Sequence, residues 1–291
     1  GSQTLEGAPV NTKRKNVTGA DPELTYWAEE YARRNGIDYR RQSEYVMVDV
    51  DRAMRIAQAY EDMPHAPQDP TVKEAYENLI KQTIAQYNIL VEGGYQFYFF
   101  DETNDPYDGN PLAAMEELRN EKRMGSFATE AGFGTGNEGL DVSDNPMLAD
   151  TGLTWGWGSV DGPQKRVLAN DLFRAVHDAF GHGLEGAGFR ARGEENAWQA
   201  HARLFTGSAV GAITSETRGQ NSWLNFGKYG EQNRTAKVED TVFAPQKTGL
   251  MPEWTWKEGF NEGDAPIIPQ SVNETIKEEA IADGTFMKAP N

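Results

Sequence analysis

Three of the four histidines in this 291-residue chain, His177, His182 and His201, lie within one short segment. The same part of the chain supplies several acidic side chains, which are Asp178, Glu185, Glu194, Glu195 and Glu216. The chain has no cysteine, so a thiolate metal site is excluded. Imidazole and carboxylate groups then remain as ligands, and they suit iron, zinc or manganese. The cluster therefore predicts a site for one divalent metal ion, with Fe(II) favoured and zinc as the alternative.

His177 and His182 are predicted to be two of the metal ligands. They are five residues apart, and on a regular α-helix such positions differ by ~140°, so they would not share a face. Gly181 is expected to end the helix and to let His182 turn back towards His177. Asp178, four residues before His182, is expected to orient the His182 imidazole from outside the metal shell.

The predicted third ligand is Glu216, which would complete a triad of two histidines and one carboxylate. Glu216 follows the apolar stretch 209–213, so it is expected to point inward, where an unpaired carboxylate would be costly. Glu194 and His201 remain alternatives, since they are seven residues apart and share a helical face. In the leading interpretation His201 is a base or proton donor beside the metal. Arg218 would bind the carboxylate of a substrate.

The elements that must position these residues are mostly helical. Asp21-Pro22 has the composition of a helix start, and helical periodicity recurs along the chain. Helices are predicted at about 22–34, 49–60, 71–91, 111–118, 169–181, 194–205, 208–216 and 273–282. Tyr95–Phe100 is the best strand candidate, because aromatic residues dominate it. The stretch 125–162 is rich in Gly, Asp and Asn and is predicted to be irregular.

These features predict a mainly α fold with a minor β element. We expect a flexible tail over residues 1–20 and a single compact helical domain over 21–291 with long irregular loops. The metal-site half would span about 165–227.

Composition excludes several classes of function. The net charge of −17 and the absence of a basic stripe argue against nucleic-acid binding. No apolar run approaches the ~18 residues that a membrane span needs, and no secretion signal is recognised. The expected partner is a small-molecule substrate, with a carboxylate-bearing one as a possibility, and neither nucleic acid nor a membrane.

The segment His177–His182 resembles the iron-binding segment of the aromatic amino acid hydroxylases. In that family two histidines five apart, the first followed by an acidic residue and the second preceded by glycine, bind iron with a downstream glutamate. The resemblance implies that His177, His182 and Glu216 bind iron.

A wider stretch, from about Tyr45 to Trp254, is similar to uncharacterised proteins encoded by bacteriophages and prophages. The strings at 174–178, 193–198 and 216–223 carry this similarity. It implies a phage or prophage origin, with a location in the host cytoplasm or in the virion.

The leading hypothesis is a mononuclear non-haem iron oxygenase or hydroxylase-like enzyme. One alternative is a virion-associated or injected structural protein in which a metal joins helices. The other is a zinc hydrolase that uses metal-bound water, with Glu194 or Glu195 as the base.

Overall fold

The computed structural model describes residues 19–42, 45–129 and 143–260. Nearly all of the predicted tail and the whole predicted helix at 273–282 lie outside these ranges. The division of the chain into a tail and one domain stays a prediction. Among the described residues, no helix has both the length and the apolar character required to cross a membrane.

The described chain is mainly helical, as predicted. The first four helices each begin after an N-cap residue whose side chain accepts a hydrogen bond from a backbone N–H of the first turn. These residues are Asp21, Asp49, Asp69 and Asn110. The helices are α1 (Pro22–Arg34), α2 (Val50–Asp62), α3 (Pro70–Glu92), α4 (Pro111–Glu121), α5 (Ala169–His177), α6 (Ala191–Ala202), α7 (Ala209–Thr214), α8 (Gln220–Phe226), α9 (Gly230–Asn233) and α10 (Trp254–Lys257).

A four-stranded sheet forms the minor β element, in the order β2-β1-β3-β4. Its strands are β1 (Gln96–Phe100), β2 (Arg123–Phe127), β3 (Asp150–Trp157) and β4 (Gln164–Leu168). Strand β1 runs parallel to both of its neighbours, and β3 pairs antiparallel with β4. The predicted strand at 95–100 is confirmed, and it is an interior strand.

The prediction of an irregular stretch over 125–162 is wrong, because most of β2 and all of β3 lie within it. These strands were not predicted because glycine, which is uncommon in strands, occurs in both of them. At Gly125 the glycine is required by a close approach, since a Cβ there would lie 2.7 Å from the ring of Tyr98 on the paired strand. Strand β1 supplies the large side chains instead, and Trp155 of β3 packs against Phe97 and Phe99.

The helix that carries His177 does not stop at Gly181. It continues from α5 into a π-helical segment, Asp178–Gly183, and a second π segment, Ser215–Gly219, joins α7 to α8. The predicted end at Gly181 is therefore wrong, and the helix through Glu216 runs on to Phe226. The first π segment packs against α6 and α4 and contributes Ala179 and Phe180 to the apolar core under the sheet, and the second packs against α2 and α6.

Candidate metal centre

The first π segment brings His177 and His182 together. A π turn closes hydrogen bonds between residues five apart, so it places such residues nearly above one another. The two rings are 5.3 Å apart between centroids and nearly perpendicular. Both side chains are buried, at 8% and 1% exposure. The sequence therefore anticipated that these two side chains lie together, but the geometry that joins them is a widened turn rather than a helix end.

The carboxylate beside the two histidines belongs to Glu194, in the first turn of α6. One ligand atom from each of His177, His182 and Glu194 lies within 4.8 Å of the other two. Glu194 Oε1 is 3.0 Å from His182 Nε2. Among the residues that the structure describes, this is the group whose spacing suits a metal ion. Glu216, the predicted third ligand, is not part of it, and Glu194 replaces it.

A chain of hydrogen bonds fixes the tautomer of His177. The amide Nε2 of Gln86 donates to the Leu204 carbonyl over 3.1 Å, so its Oε1 must act as an acceptor. His201 Nε2 is 2.8 Å from that oxygen and therefore carries the hydrogen. His201 Nδ1 is then an acceptor, and His177 Nδ1, 2.9 Å away, must donate to it. The proton positions are assigned from this network.

The consequence is a bare lone pair on His177 Nε2. This atom is buried and has no hydrogen-bond partner in the described chain. An unpartnered polar atom in a protein interior costs roughly 1–3 kcal/mol, so natural structures keep few of them. A metal ion is the partner that such a nitrogen accepts.

His182 is held in the same way through a different partner. Its Nδ1 lies 3.1 Å from the Ala187 carbonyl, which can only accept, so this nitrogen carries a hydrogen. Metal-binding histidines commonly donate their outer N–H to a carbonyl or carboxylate. Asp178 was expected to orient His182, but the hydrogen bonds of His182 go to Ala187 and Glu194.

Burial keeps two of the histidines neutral. Burial and the neighbouring imidazoles lower the pKa of His177 well below its ordinary value of 6.5. Burial lowers the pKa of His201 to about 3. A neutral imidazole is the form that binds metal. His201 has both nitrogens engaged, so it is a neighbour that orients His177 and not a ligand, and it presents no free nitrogen as a base.

His182 behaves differently because of Glu194. Burial alone would lower the pKa of His182, but the Glu194 carboxylate, the charge of Asp178 and the Ala187 carbonyl together more than offset it, and the pKa of His182 is raised. In metal-free protein a proton therefore lies between His182 Nε2 and Glu194 Oε1. A cation at the same place would bind both groups and release that proton.

The cluster opens onto a cavity of ≈ 320 Å³ whose wall also includes Asp178 and Glu216. Glu216 accepts a hydrogen bond of 2.7 Å from Tyr76, and burial raises the pKa of Glu216 to about 7. Burial likewise raises the pKa of Asp178 to about 6. Near neutral pH both carboxyls can therefore hold or release a proton at the cavity wall.

Arg218 is committed elsewhere, so its predicted role as a substrate anchor is wrong. It is 2% exposed, and its guanidinium makes two hydrogen bonds to the Glu195 carboxylate, at 3.1 and 2.8 Å. Its Nη1 donates to the backbone carbonyls of Thr255 and Glu258, and its guanidinium lies 4.1 Å over the ring of Trp198. The same pairing removes Glu195 from the set of possible ligands or bases.

Sequence reasoning missed two residues of the site. Arg174 lines the cavity, and its position three residues before His177 placed it on the same helical face. That spacing was a usable signal. Gln86 lies on α3, 115 positions from its partner His201, and no local pattern pointed to it.

Gly181 has a steric role in the site. A Cβ at this position would lie 3.0 Å from His177 Cε1 and 3.1 Å from the Ala197 carbonyl oxygen. Contacts this short force a neighbour to move, and here the neighbour is a candidate ligand. The absence of a side chain therefore lets α6 approach the His177 ring closely.

No protein-family model, curated protein or solved structure matches the chain.

Proposed function

We propose that this protein is a mononuclear metalloenzyme in which His177, His182 and Glu194 bind one divalent ion. The observation that carries the proposal is the buried, unpartnered lone pair of His177 Nε2. His177 belongs to a group of three residues, with His182 and Glu194, whose ligand atoms lie within 4.8 Å of one another, and each histidine has its other nitrogen engaged in a hydrogen bond. This pattern of inner donors and outer hydrogen bonds is typical of metal sites.

The donor count favours catalysis over a purely structural metal. Structural zinc sites have four protein ligands, whereas catalytic sites keep a position open for water or substrate. Here the described chain offers three donors beside a cavity of ≈ 320 Å³. His201, which would have been the fourth ligand of a closed site, uses both nitrogens in hydrogen bonds. A virion protein with a metal that joins helices is therefore the less favoured reading.

Iron is the favoured metal. Two histidines and one carboxylate with open positions form the facial triad of non-haem iron oxygenases. Bound iron would supply oxygen activation for the oxidation of a small molecule. The protein's own residues hold the ion, neutralise one of its charges through Glu194, and place two protonatable carboxyls on the cavity wall.

A zinc hydrolase is the second candidate, and one observation favours it. The Glu216 carboxyl, with a pKa raised to about 7, lines the same cavity as the donor group. A carboxylate in such a place can act as the general base towards an attacking water. His2Glu is also a known ligand set of zinc hydrolases.

Metal analysis of anaerobically purified protein tests the proposal. We expect about one equivalent of metal per chain, as for a single facial triad. His177→Ala and Glu194→Ala should lose it. His65→Ala is the matched control, because His65 pairs with Asp144 outside the cluster. Full metal occupancy in a His177→Ala, His182→Ala double variant would refute the proposal.

A second measurement separates the two chemistries. Protein loaded with Fe(II) should bind nitric oxide and give the electron paramagnetic resonance signal of a high-spin iron nitrosyl, because open coordination positions remain. Protein that excludes Fe(II) but retains Zn(II), and that hydrolyses activated esters in proportion to zinc content, would favour the hydrolase instead.

A further inference from the structure

Two cavities meet beside the metal ligands. The first contains the donor group, and the second, of ≈ 290 Å³, lies against α4 and the ends of β1 and β2. Arg174, Asp178 and Phe189 line both of them. The two spaces are therefore neighbours that share one wall.

The second cavity is largely apolar and aromatic. Phe100 and Phe127 meet edge to face there with centroids 5.7 Å apart, and Tyr107 meets Phe100 at 5.6 Å. Met115 and Ala114 of α4 also line it. Phe127 is 40% exposed, so the space reaches the surface. Apolar walls of this kind accept the apolar part of a small ligand.

Phe189 links the second cavity to the metal ligands. Its ring stacks on the imidazole of His182 with centroids 4.0 Å apart and planes 15° from parallel. A ligand in the second cavity that contacts Phe189 is thus separated from a candidate metal ligand by a single ring. The reacting part of such a ligand needs only to pass this ring to enter the first cavity.

Arg174 is the cation at the junction. Its side chain is exposed, and no ion pair or hydrogen bond ties its guanidinium to any part of the chain that the structure describes. Its positive charge acts to lower the pKa values of Asp178 and Glu216, which line the first cavity, against the effect of burial. A guanidinium has five donors in a planar fork, so it can bind an added carboxylate through two hydrogen bonds.

We propose that the two cavities form one substrate site, in which Arg174 binds the carboxylate of an apolar acid whose body lies in the second cavity. The carbon next to the carboxylate then faces the first cavity and its metal ligands. This last placement rests on the proposed function, whereas binding of the acid itself does not require a metal.

A singly charged anion fits the junction better than a phosphate does. The wall of the first cavity includes the carboxyl groups of Asp178 and Glu216, both of which interact with Arg174. Arg174 has to offset their charge as well as that of the ligand. A dianion would therefore meet more repulsion than a monocarboxylate does.

Calorimetric titration of zinc-loaded and metal-free protein with 4-phenylbutanoate tests the site, with 4-phenylbutanamide as the uncharged match. The acid should bind both protein forms at least ~10-fold more tightly than the amide, as for a charge-assisted pair. Arg174→Gln should abolish the preference for the acid over the amide. The control is Arg166→Gln, which should keep this preference, because Arg166 is an exposed arginine that pairs with Asp150. An unchanged preference in Arg174→Gln, or tighter binding of the matching phosphate monoester, would overturn the proposal.

The second cavity is tested by filling it or by removing a wall. Ala114→Phe should weaken the acid and the amide alike, and Phe127→Ala provides the same test with an exposed residue if Ala114→Phe does not fold. Unchanged affinity of both ligands in the folded variant would overturn the assignment of the apolar body to this cavity.

The orientation of the ligand has its own readout. In protein loaded with Co(II), the methylene next to the carboxylate should be broadened by the paramagnetic ion more than the ring protons are. The reverse order would overturn the placement. If no metal binds but the acid does, the proposed function fails and the acid site stands. If metal binds and the acid does not, the acid site fails and the proposed function stands.

Discussion

Replacing His201 by leucine or by asparagine tests whether the hydrogen-bond chain from Gln86 sets the metal-binding lone pair. Both substitutions remove the contact with Gln86. Asparagine retains an acceptor, because its Oδ1 lies close to the place of the histidine Nδ1, whereas leucine has none. The difference between the two variants therefore isolates the acceptor that faces His177 Nδ1.

The expected size of the effect follows from the burial of His177. In metal-bound protein His177 must carry its hydrogen on Nδ1, and in His201→Leu that N–H has no acceptor. A buried unsatisfied donor costs about 1–3 kcal/mol, which corresponds to roughly 5- to 150-fold in affinity. In metal-free protein the ring can carry its hydrogen on either nitrogen, because no ion requires the Nε2 lone pair. The cost therefore falls on metal binding, and we expect ~10- to 100-fold weaker affinity, the range typical of outer-shell partners.

Competition with a chelator for Zn(II) at neutral pH measures this affinity. His201→Asn should recover most of the loss seen in His201→Leu, and circular dichroism should confirm that both variants fold. Nitrogen chemical shifts of the imidazoles should show His177 with its hydrogen on Nδ1 in the wild type. If His201→Leu and His201→Asn bound Zn(II) with equal affinity, the proposed role of the acceptor would be refuted, whether that affinity was high or low.

Three further outcomes follow from the site. Glu194→Gln should weaken Zn(II) binding by ~100-fold or more, because it removes a charged ligand. Glu216→Gln should change the Zn(II) affinity by no more than a few-fold. If chelator competition gave the opposite order, Glu216 would be the ligand instead. In metal-free protein, burial raises the pKa of Glu216 from 4.5 to about 7. Between these two pH values the folded state keeps a proton that the unfolded state releases. The free energy of unfolding therefore falls as the pH rises from 4.5 to about 7. Glu216→Gln lacks this loss and should gain up to roughly 3 kcal/mol over wild type between pH 4.5 and pH 8 in urea unfolding; a pH-independent difference would contradict it. Glu195→Ala should cost about 3–5 kcal/mol of stability because Arg218 is left buried without its carboxylate, and thermal unfolding should show this while the folded variant keeps its metal affinity.

Local signals in the sequence were enough to predict most of the helices and to single out the histidine pair. Asp21 and Pro22 define the start of α1 because capping is a contact between neighbours in sequence. The aromatic run of β1 identified a strand, and large side chains on both of its faces fit the interior position that it takes in the sheet. His177 and His182 stood out through residue type and spacing alone.

The third ligand could not be chosen from the sequence. Glu194 was an alternative to Glu216, and an acidic residue at the start of a helix is already favoured by the helix dipole. That argument explains why an acid is tolerated there, but it does not say in which direction the side chain points. Glu216 does line the cavity, as its apolar flank suggested, yet its carboxylate meets Tyr76 instead of the histidines. Choosing between them requires the packing of α6 against the first π segment.

The π turn could not be predicted from the sequence either, because tertiary contacts cause it. Residues five apart share a face only in a π turn, which is rare and gives up the regular α-helical hydrogen-bond pattern. What maintains it is the surrounding packing: α6 approaches Gly181, and a Cβ at Gly183 would lie 2.9 Å from Leu118 of α4. These contacts join segments that are distant in the chain.

The metal-free site combines several unfavourable features that one cation would relieve together. A buried nitrogen of His177 has no partner among the described residues, His182 shares a buried proton with Glu194, and the helix that carries both histidines contains a π segment. Strain that recurs at one place in an otherwise well-packed fold is typical of functional sites, where the surrounding structure maintains it. A ligand that binds the folded state alone adds its binding free energy to stability. A divalent ion would pair the lone nitrogen, displace the proton and neutralise the carboxylate in one step, so the features that weaken the metal-free protein are the ones that would make it bind metal tightly.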